Sequence, residues 1–235
     1  MEQEPTEIPA AQRLIEQFDA DGQLLQRCTM LGGVLHGPLE QFSAAGRPTL
    51  KARFEDGKMH GPMQAYADDG KLVQKSHFKH GVAHGIMEIY VNGRCISQQT
   101  MVDGLATGPA LSYDEAGYLT ARLTLSAGQI TGPAEFFFQG QRVRKSHYKA
   151  GLLDGESIDF DPAGAMVQSC AYKGNLLNGP VRRYWPDGEL MEEVVYRDGK
   201  PVAAPKRYDS KGRRTDNVEA TPAILERLQK LVRGS

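Results

Sequence analysis

The sequence is short of several things, and each shortage excludes a class of protein. It has no surplus of charge: 28 Lys and Arg against 29 Asp and Glu leave a formal net charge of -1, so no global field draws the chain to nucleic acid or to an anionic membrane. It holds three cysteines and one tryptophan. Cys28, Cys95 and Cys170 are too few and too scattered for a disulfide framework, and fit reduced thiols in a reducing compartment. No run approaches the ~18 consecutive apolar residues that span a bilayer. The opening Met1-Glu2-Gln3-Glu4-Pro5-Thr6-Glu7 is acidic, where an export signal is basic and then apolar, and the expectation is a cytoplasmic protein. Neither Gly-x-x-x-x-Gly-Lys nor Gly-x-Ser-x-Gly occurs, which removes the phosphate loop and the nucleophile elbow.

Glycine, by contrast, is abundant, with 26 residues in 235, about half again the usual ~7%. The glycines are periodic. Gly37, Gly61, Gly85, Gly108, Gly132, Gly155 and Gly179, taken as position zero of each unit, recur at intervals of 24, 24, 23, 24, 23 and 24 residues. Five residues after each stands an aromatic (Phe42, Tyr66, Tyr90, Tyr113, Phe137, Phe160, Tyr184), with Phe18 and Tyr208 one period outside. Longer units carry tips such as Asp68-Asp69-Gly70, and shorter ones the two-residue Asn92-Gly93 or Gln139-Gly140. Asn-Gly favours the tight primed hairpin turn. The lost residue therefore lies at the tip, and each unit reads as a β-hairpin whose register is kept on both sides.

Pairing about the tips sets Tyr66 opposite Leu72, Tyr90 opposite Cys95 and Tyr184 opposite Leu190. Strict alternation then predicts that Leu72, Gln74, Ser76 and Phe78 share the packed, aromatic face. Val73, Lys75, His77 and Lys79 take the other. A single hairpin is not stable alone, so stability is expected from stacked neighbours. The predicted fold is all-β: an elongated single-layer antiparallel sheet of tandem β-hairpin repeats of 23–24 residues over residues 13–215. A disordered acidic tail (1–12) is expected before it. After it, residues 221–233 read as a short capping helix, with Thr221-Pro222 as N-cap and first turn and Ile224, Leu225, Leu228, Leu231 and Val232 as an apolar stripe. Docking of that helix to a partner or a membrane surface is the rival reading.

The consensus Gly-Pro-x-x-x-Tyr-x-x-Asp-Gly-x-Leu, followed by a strand that ends in an aromatic, is complete at Gly61-Pro62 to Gly81 and at Gly179-Pro180 to Gly199. It resembles the MORN repeat family, in the bacterial variant found in YwqK-type antitoxins. The resemblance implies a twisted sheet of hairpins and an association with neutralising a partner toxin. Related repeats act in protein scaffolding and membrane attachment. The family motif contains no catalytic residue.

His36, His60 and His84 precede successive position-zero glycines, but equivalent residues two strands apart stand about 10 Å from each other, too far to converge on one zinc ion. A turn role, satisfying loop backbone groups, is the expectation. His77, His80 and His84 meet no cysteine or carboxylate at zinc spacing. The glutamate column (Glu16, Glu40, Glu88, Glu135) is too widely spaced for a carboxylate pair, and Glu135 is expected to pair with Arg144. No enzyme, metal or cofactor is predicted. The one pattern above background is a basic stripe, Arg27, Lys51, Lys75, Arg122 and Lys145, placed by alternation on the face away from the aromatics. It reads as a solvated, aggregation-resistant face or as a surface for an acidic partner. The functional expectation is a non-enzymatic protein-binding array, an antitoxin or immunity protein acting by occlusion. The alternative is a scaffold or membrane-adjacent organiser on anionic lipid.

Overall fold

The computed structural model describes residues 11–216, so the expected helix at 221–233 and most of the acidic tail lie outside the described residues. The described chain is all-β, with no helix and with antiparallel strands joined in sequence order as hairpins. It divides into two compact units, one reaching to Gly108 and including Glu115–Gly117, the other formed by Pro109–Asp114 and the chain from Tyr118 onward. The first holds β1 (Gln12–Phe18), β2 (Leu24–Leu31), β3 (Val34–Phe42), β4 (Pro48–Glu55), β5 (Lys58–Tyr66), β6 (Leu72–Lys79), β7 (Val82–Ala83), β8 (Gly85–Val91) and β9 (Arg94–Val102). The chain passes into the second within β10 (Leu105–Tyr113). The second continues with β11 (Leu119–Ser126), β12 (Gln129–Ile130), β13 (Gly132–Phe138), β14 (Gln141–Lys149), β15 (Leu152–Phe160), β16 (Met166–Lys173), β17 (Leu176–Tyr184) and β18 (Leu190–Arg197). Two short strands, β19 (Lys200–Pro201) and β20 (Lys206–Arg207), close it.

Turn chemistry explains the hairpins. At the tips, Asn92 and Gln139 have φ of 50° with a positive-φ glycine following, the two-residue primed turn expected of the shorter units. The longer tips close differently: the Ala67 amide donates to the Lys71 carbonyl and the Gly70 amide to Ala67, while Asp69 Oδ1 accepts from the Lys71 amide at 3.0 Å. The turns between units are also tight, with two residues at positive φ, as at Asp56-Gly57 and His80-Gly81.

Two irregularities per hairpin reshape the sheet. Near the tip, Tyr66 pairs with Leu72 as expected, but Ala65 pairs with Gln74 and Gln64 with Lys75. Val73 is thus the extra residue of a β-bulge, and a bulge reverses which face the following residues take. This overturns the alternation expected above: Lys75 shares its face with Tyr66 and Gln64, whereas Gln74, Ser76 and Phe78 lie on the opposite one. Side chains agree, since Tyr66 Oη donates to Gln64 Oε1 at 2.8 Å and Lys75 Nζ sits 5.5 Å from the Tyr90 ring centroid. The same shift recurs beside Phe42, Tyr90, Phe137, Phe160 and Tyr184.

The second irregularity surrounds position zero. Cys170 pairs with Val181 and Tyr172 with Leu177, so three residues of β17 stand against Ala171 alone. The middle one, Gly179, has φ of 125°, and a Cβ there would lie 2.8 Å from Ala171 Cβ. Glycine recurs in this column because the backbone must bulge toward its neighbour.

Burial follows from the single layer. No second sheet or helix covers either face among the described residues, so the buried positions are small side chains roofed by larger neighbours. In the second unit most of these form one row across the strands, Ala134, Ser146, Ser157 and Cys170, continued by Val181 and Val194, while Ser169 is buried on the opposite face. Ala134 and Ser146 are almost wholly buried. Cys28, Leu39, Ala52 and Ser76 are the buried members of the same phase in the first unit.

Candidate functional site

One face carries the predicted basic stripe, and the bulge changes its meaning. In the first unit, in-register pairs run from Glu16 to Arg27, Glu40, Lys51, Gln64, Lys75, Glu88 and Gln98. The basic stripe and the glutamate column are alternate members of one ladder. Arg27 contacts Glu16 at 2.9 Å and Glu40 at 3.9 Å, and Lys51 contacts Glu40 at 3.5 Å. The second unit repeats the device: Arg122 and Arg142 clamp Glu135 at 2.9 and 3.1 Å, and Arg182 and Lys206 clamp Glu193 at 2.8 and 3.2 Å. The Arg142 guanidinium foremost, then Arg122, holds the Glu135 carboxyl below its ordinary range against a partial burial that opposes it. Of the five stripe residues, Arg27, Lys51 and Arg122 are thus charge-paired, Lys75 lies over an aromatic ring, and Lys145 makes no ion pair among the described residues. Glu135 does not pair with Arg144, as the sequence suggested, because Arg144 lies on the other face and bonds Asp159 there. Around Glu135 the ladder face forms a shallow cleft of about 470 Å³ in which Arg142 Cζ stands 4.6 Å from the Phe160 ring centroid.

The other face of the second unit holds a more varied groove, about 420 Å³, built from β13 to β16. Its floor is the row of small residues: Ser146 and Ser157 share a buried hydroxyl–hydroxyl bond of 2.8 Å, and Cys170 Sγ accepts from Gln168 Nε2 at 3.3 Å. Tyr148, Leu153 and Tyr172 form one wall: the tyrosines follow Ser146 and Cys170 by alternation along β14 and β16, and the position-zero bulge of β15 sets Leu153 opposite Tyr148. Phe136, Arg144, Asp159 and Gln168 form the other. Arg144 Nη2 and Asp159 Oδ2 are 3.0 Å apart, and the Asp159 carboxylate is the foremost cause of the raised Arg144 pKa. Burial pushes up both the Cys170 thiol and the Tyr172 phenol, so the thiol stays protonated near neutrality, a poor nucleophile. The groove therefore offers apolar contact, a guanidinium, a carboxylate and an amide, a set suited to binding. All three cysteines are free; Cys28 and Cys170 are buried, whereas Cys95, whose place in a column of leucines suggests a small buried hydrophobe, is only half-buried.

The position-zero histidines divide. His36 Nδ1 accepts from the Asp56 amide at 3.4 Å, the expected turn role. His60 Nδ1 and His84 Nδ1 are enclosed without a hydrogen bond and face carboxylates instead, Glu55 at 3.0 Å and Asp103 at 3.4 Å. His80 reaches the same place as Glu55 and His60. Column-by-column reading missed this trio because its members come from different columns. The signal was present in the constant offset of about 20 residues that joins His36 to Asp56, His60 to His80 and His84 to Asp103.

The family described as MORN repeat variant matches residues 59–80 and 177–198. The match covers two of the hairpins and less than half of the chain. Both matched stretches begin two residues before a position-zero glycine and end on the positive-φ residue of the following turn, His80 or Asp198, so each is one MORN hairpin in the phase described. No curated protein matches. Among solved structures, the chain is similar to TarM, at 14% identity and a TM-score of 0.30, over 40% of this chain and 19% of that one. It is also similar to a chain in the crystal structure of TcdB2-TccC3-Cdc42, at 15% identity and a TM-score of 0.22, over 86% of this chain and 13% of that one. The matched region is thus less than a fifth of the length of either solved chain. No helix among the described residues is long and apolar enough to cross a membrane.

Proposed function

We propose that this MORN-repeat chain is a non-catalytic binding protein that recognises another protein through the groove face of its second unit, and that its role is to neutralise that partner by occlusion. The observation that carries the reading is the groove itself. Two tyrosines oppose an arginine–carboxylate pair across a floor of small side chains. Tyrosine and arginine are the side chains that most often anchor protein interfaces. The occupant is an extended segment of the partner that sets an apolar side chain between Tyr148 and Tyr172 and presents backbone groups to Arg144, Asp159 and Gln168. The ladder face supports recognition less, because most of its cations already have an anion in register. The neutralising role rests on the likeness of the repeats to those of YwqK-type antitoxins.

The test has two stages. The tagged chain is purified from its native cell, and a co-purifying protein of one-to-one stoichiometry is then expressed alone in a host lacking both genes. Growth arrest relieved by co-expression of this chain is the expected result; a harmless partner removes the antitoxin role. A Tyr148→Ala, Tyr172→Ala double variant with an unaltered circular dichroism spectrum is expected to lose at least tenfold in partner affinity. Loss on reversing Lys75 and Lys145, with the tyrosine variant unaffected, moves the interface to the predicted stripe. Flotation with anionic vesicles in place of any protein complex favours the lipid organiser.

A further inference from the structure

We infer that the first unit contains a binding site for a transition-metal dication of the zinc type, formed by Glu55, His60 and His80. Glu55 ends β4, His60 lies on β5 beside the position-zero glycine Gly61, and His80 is the first residue of the tight turn between β6 and β7. Their ligating atoms all lie within 4.8 Å of one another. His60 Nδ1 is 3.0 Å from Glu55 Oε2, and the His60 and His80 rings stand edge-on with centroids 4.9 Å apart. Three ligands at about 2.0–2.2 Å from a tetrahedral zinc ion stand roughly 3.4 Å from each other. The present spacing thus needs only a small closure of His80 and a small opening of Glu55, both exposed side chains.

Comparison within the chain sets this place apart. In the flanking hairpins the histidine before position zero faces the aspartate of the next turn, His36 with Asp56 at 3.3 Å and His84 with Asp103 at 3.4 Å. Such a pair offers one nitrogen and one carboxylate. Around His60 the turn aspartate is replaced by His80, and the acid is supplied from Glu55. The substitution converts an ion-pair position into two imidazoles and a carboxylate, the donor set that borderline dications prefer over magnesium or calcium. His60 Nδ1 is enclosed and without a hydrogen bond, and in the tautomer that carries its proton on Nε2 it offers a lone pair to a metal. His80 adopts its φ of 49° in the turn, so its backbone placement is fixed by the hairpin before any metal arrives. Three protein ligands leave a coordination position for water.

Competition with a chromophoric chelator, using the full chain stripped with EDTA, tests the inference. The expected result is one zinc ion per chain, with Co2+ giving the visible bands of a four-coordinate site. His80→Asp installs the residue that the flanking turns already carry and so preserves the hairpin; it is expected to weaken zinc binding at least tenfold without changing the melting temperature of the stripped protein. His60→Gln is expected to weaken it as much. Failure of the wild-type chain to compete for zinc at micromolar concentration overturns the site, as does wild-type affinity that survives both substitutions, since other histidines would then be responsible.

Discussion

At the residue scale, close packing in a single layer falls on very few side chains, so individual substitutions should have sharply different costs. Gly179→Ala places a Cβ 2.8 Å from that of Ala171 at a φ of 125°, combining overlap with a backbone conformation closed to alanine. A loss of about 3 kcal/mol is expected. Gly164→Ala, at a tip with nothing within 4 Å and a φ of 84°, meets only the conformational cost and should lose about 1 kcal/mol. Urea titration of the two variants checks the difference. The Ser146–Ser157 hydroxyl pair gives a second contrast. Ser146→Ala strands the buried Ser157 hydroxyl and is expected to cost about 1–3 kcal/mol. The Ser146→Ala, Ser157→Ala double variant removes both partners and should recover most of that loss, a non-additivity that a double-mutant cycle measures directly.

At the element scale, the hairpin is set by its turns and its two bulges. Ala150 occupies the first position of a tight turn between β14 and β15 at a φ of 49°, a conformation that costs an ordinary L-residue about 1–2 kcal/mol and that asparagine tolerates well. Ala150→Asn is therefore expected to stabilise the chain by up to about 1 kcal/mol, read as a raised melting temperature. The tip turns were legible in the sequence because turn chemistry is local: Asn92-Gly93 and the acidic residues of the longer tips announce their own conformations. The tip bulge was not. Val73 looks like any strand valine, and no local signal separates a regular strand from one holding an extra residue. That single residue reverses the face of Lys75 and of every equivalent position, which is why the basic stripe read as separate from the aromatics and from the glutamates that in fact neutralise it.

At the scale of the whole molecule, the cross-strand ladders distribute electrostatics over many strands, and acid should expose them. Arg142 first and Arg122 next keep the Glu135 carboxyl below its ordinary value of 4.5; Arg182 and then Lys206 do the same for Glu193. Lowered folded-state pKa values mean that the unfolded chain binds more protons as pH falls below about 4.5, so the stabilisation, complete above that pH, is lost as pH drops toward the folded-state values. Urea midpoints are expected to be level from pH 7 to 5 and to fall below 4.5. In Glu135→Gln the fall should be shallower, with little change at neutrality, because ion pairs near the surface contribute only about 0–1 kcal/mol each. A stability that rises on acidification would contradict the ladder.

Composition and phase, by themselves, determined that this chain is all-β, that its unit is a hairpin, where each hairpin turns and which glycine and aromatic columns repeat. Those properties follow from backbone conformation and period, both written in short stretches of sequence. Only the tertiary structure decided which columns share a face, which charges neutralise each other, and that Tyr148 and Tyr172 wall a groove floored by Ser146, Ser157 and Cys170. It alone brought Glu55, His60 and His80 together from three different turns and strands. Such outcomes depend on register across neighbouring strands, where one bulged residue or an offset of about 20 positions sets the neighbours and no single segment carries the information.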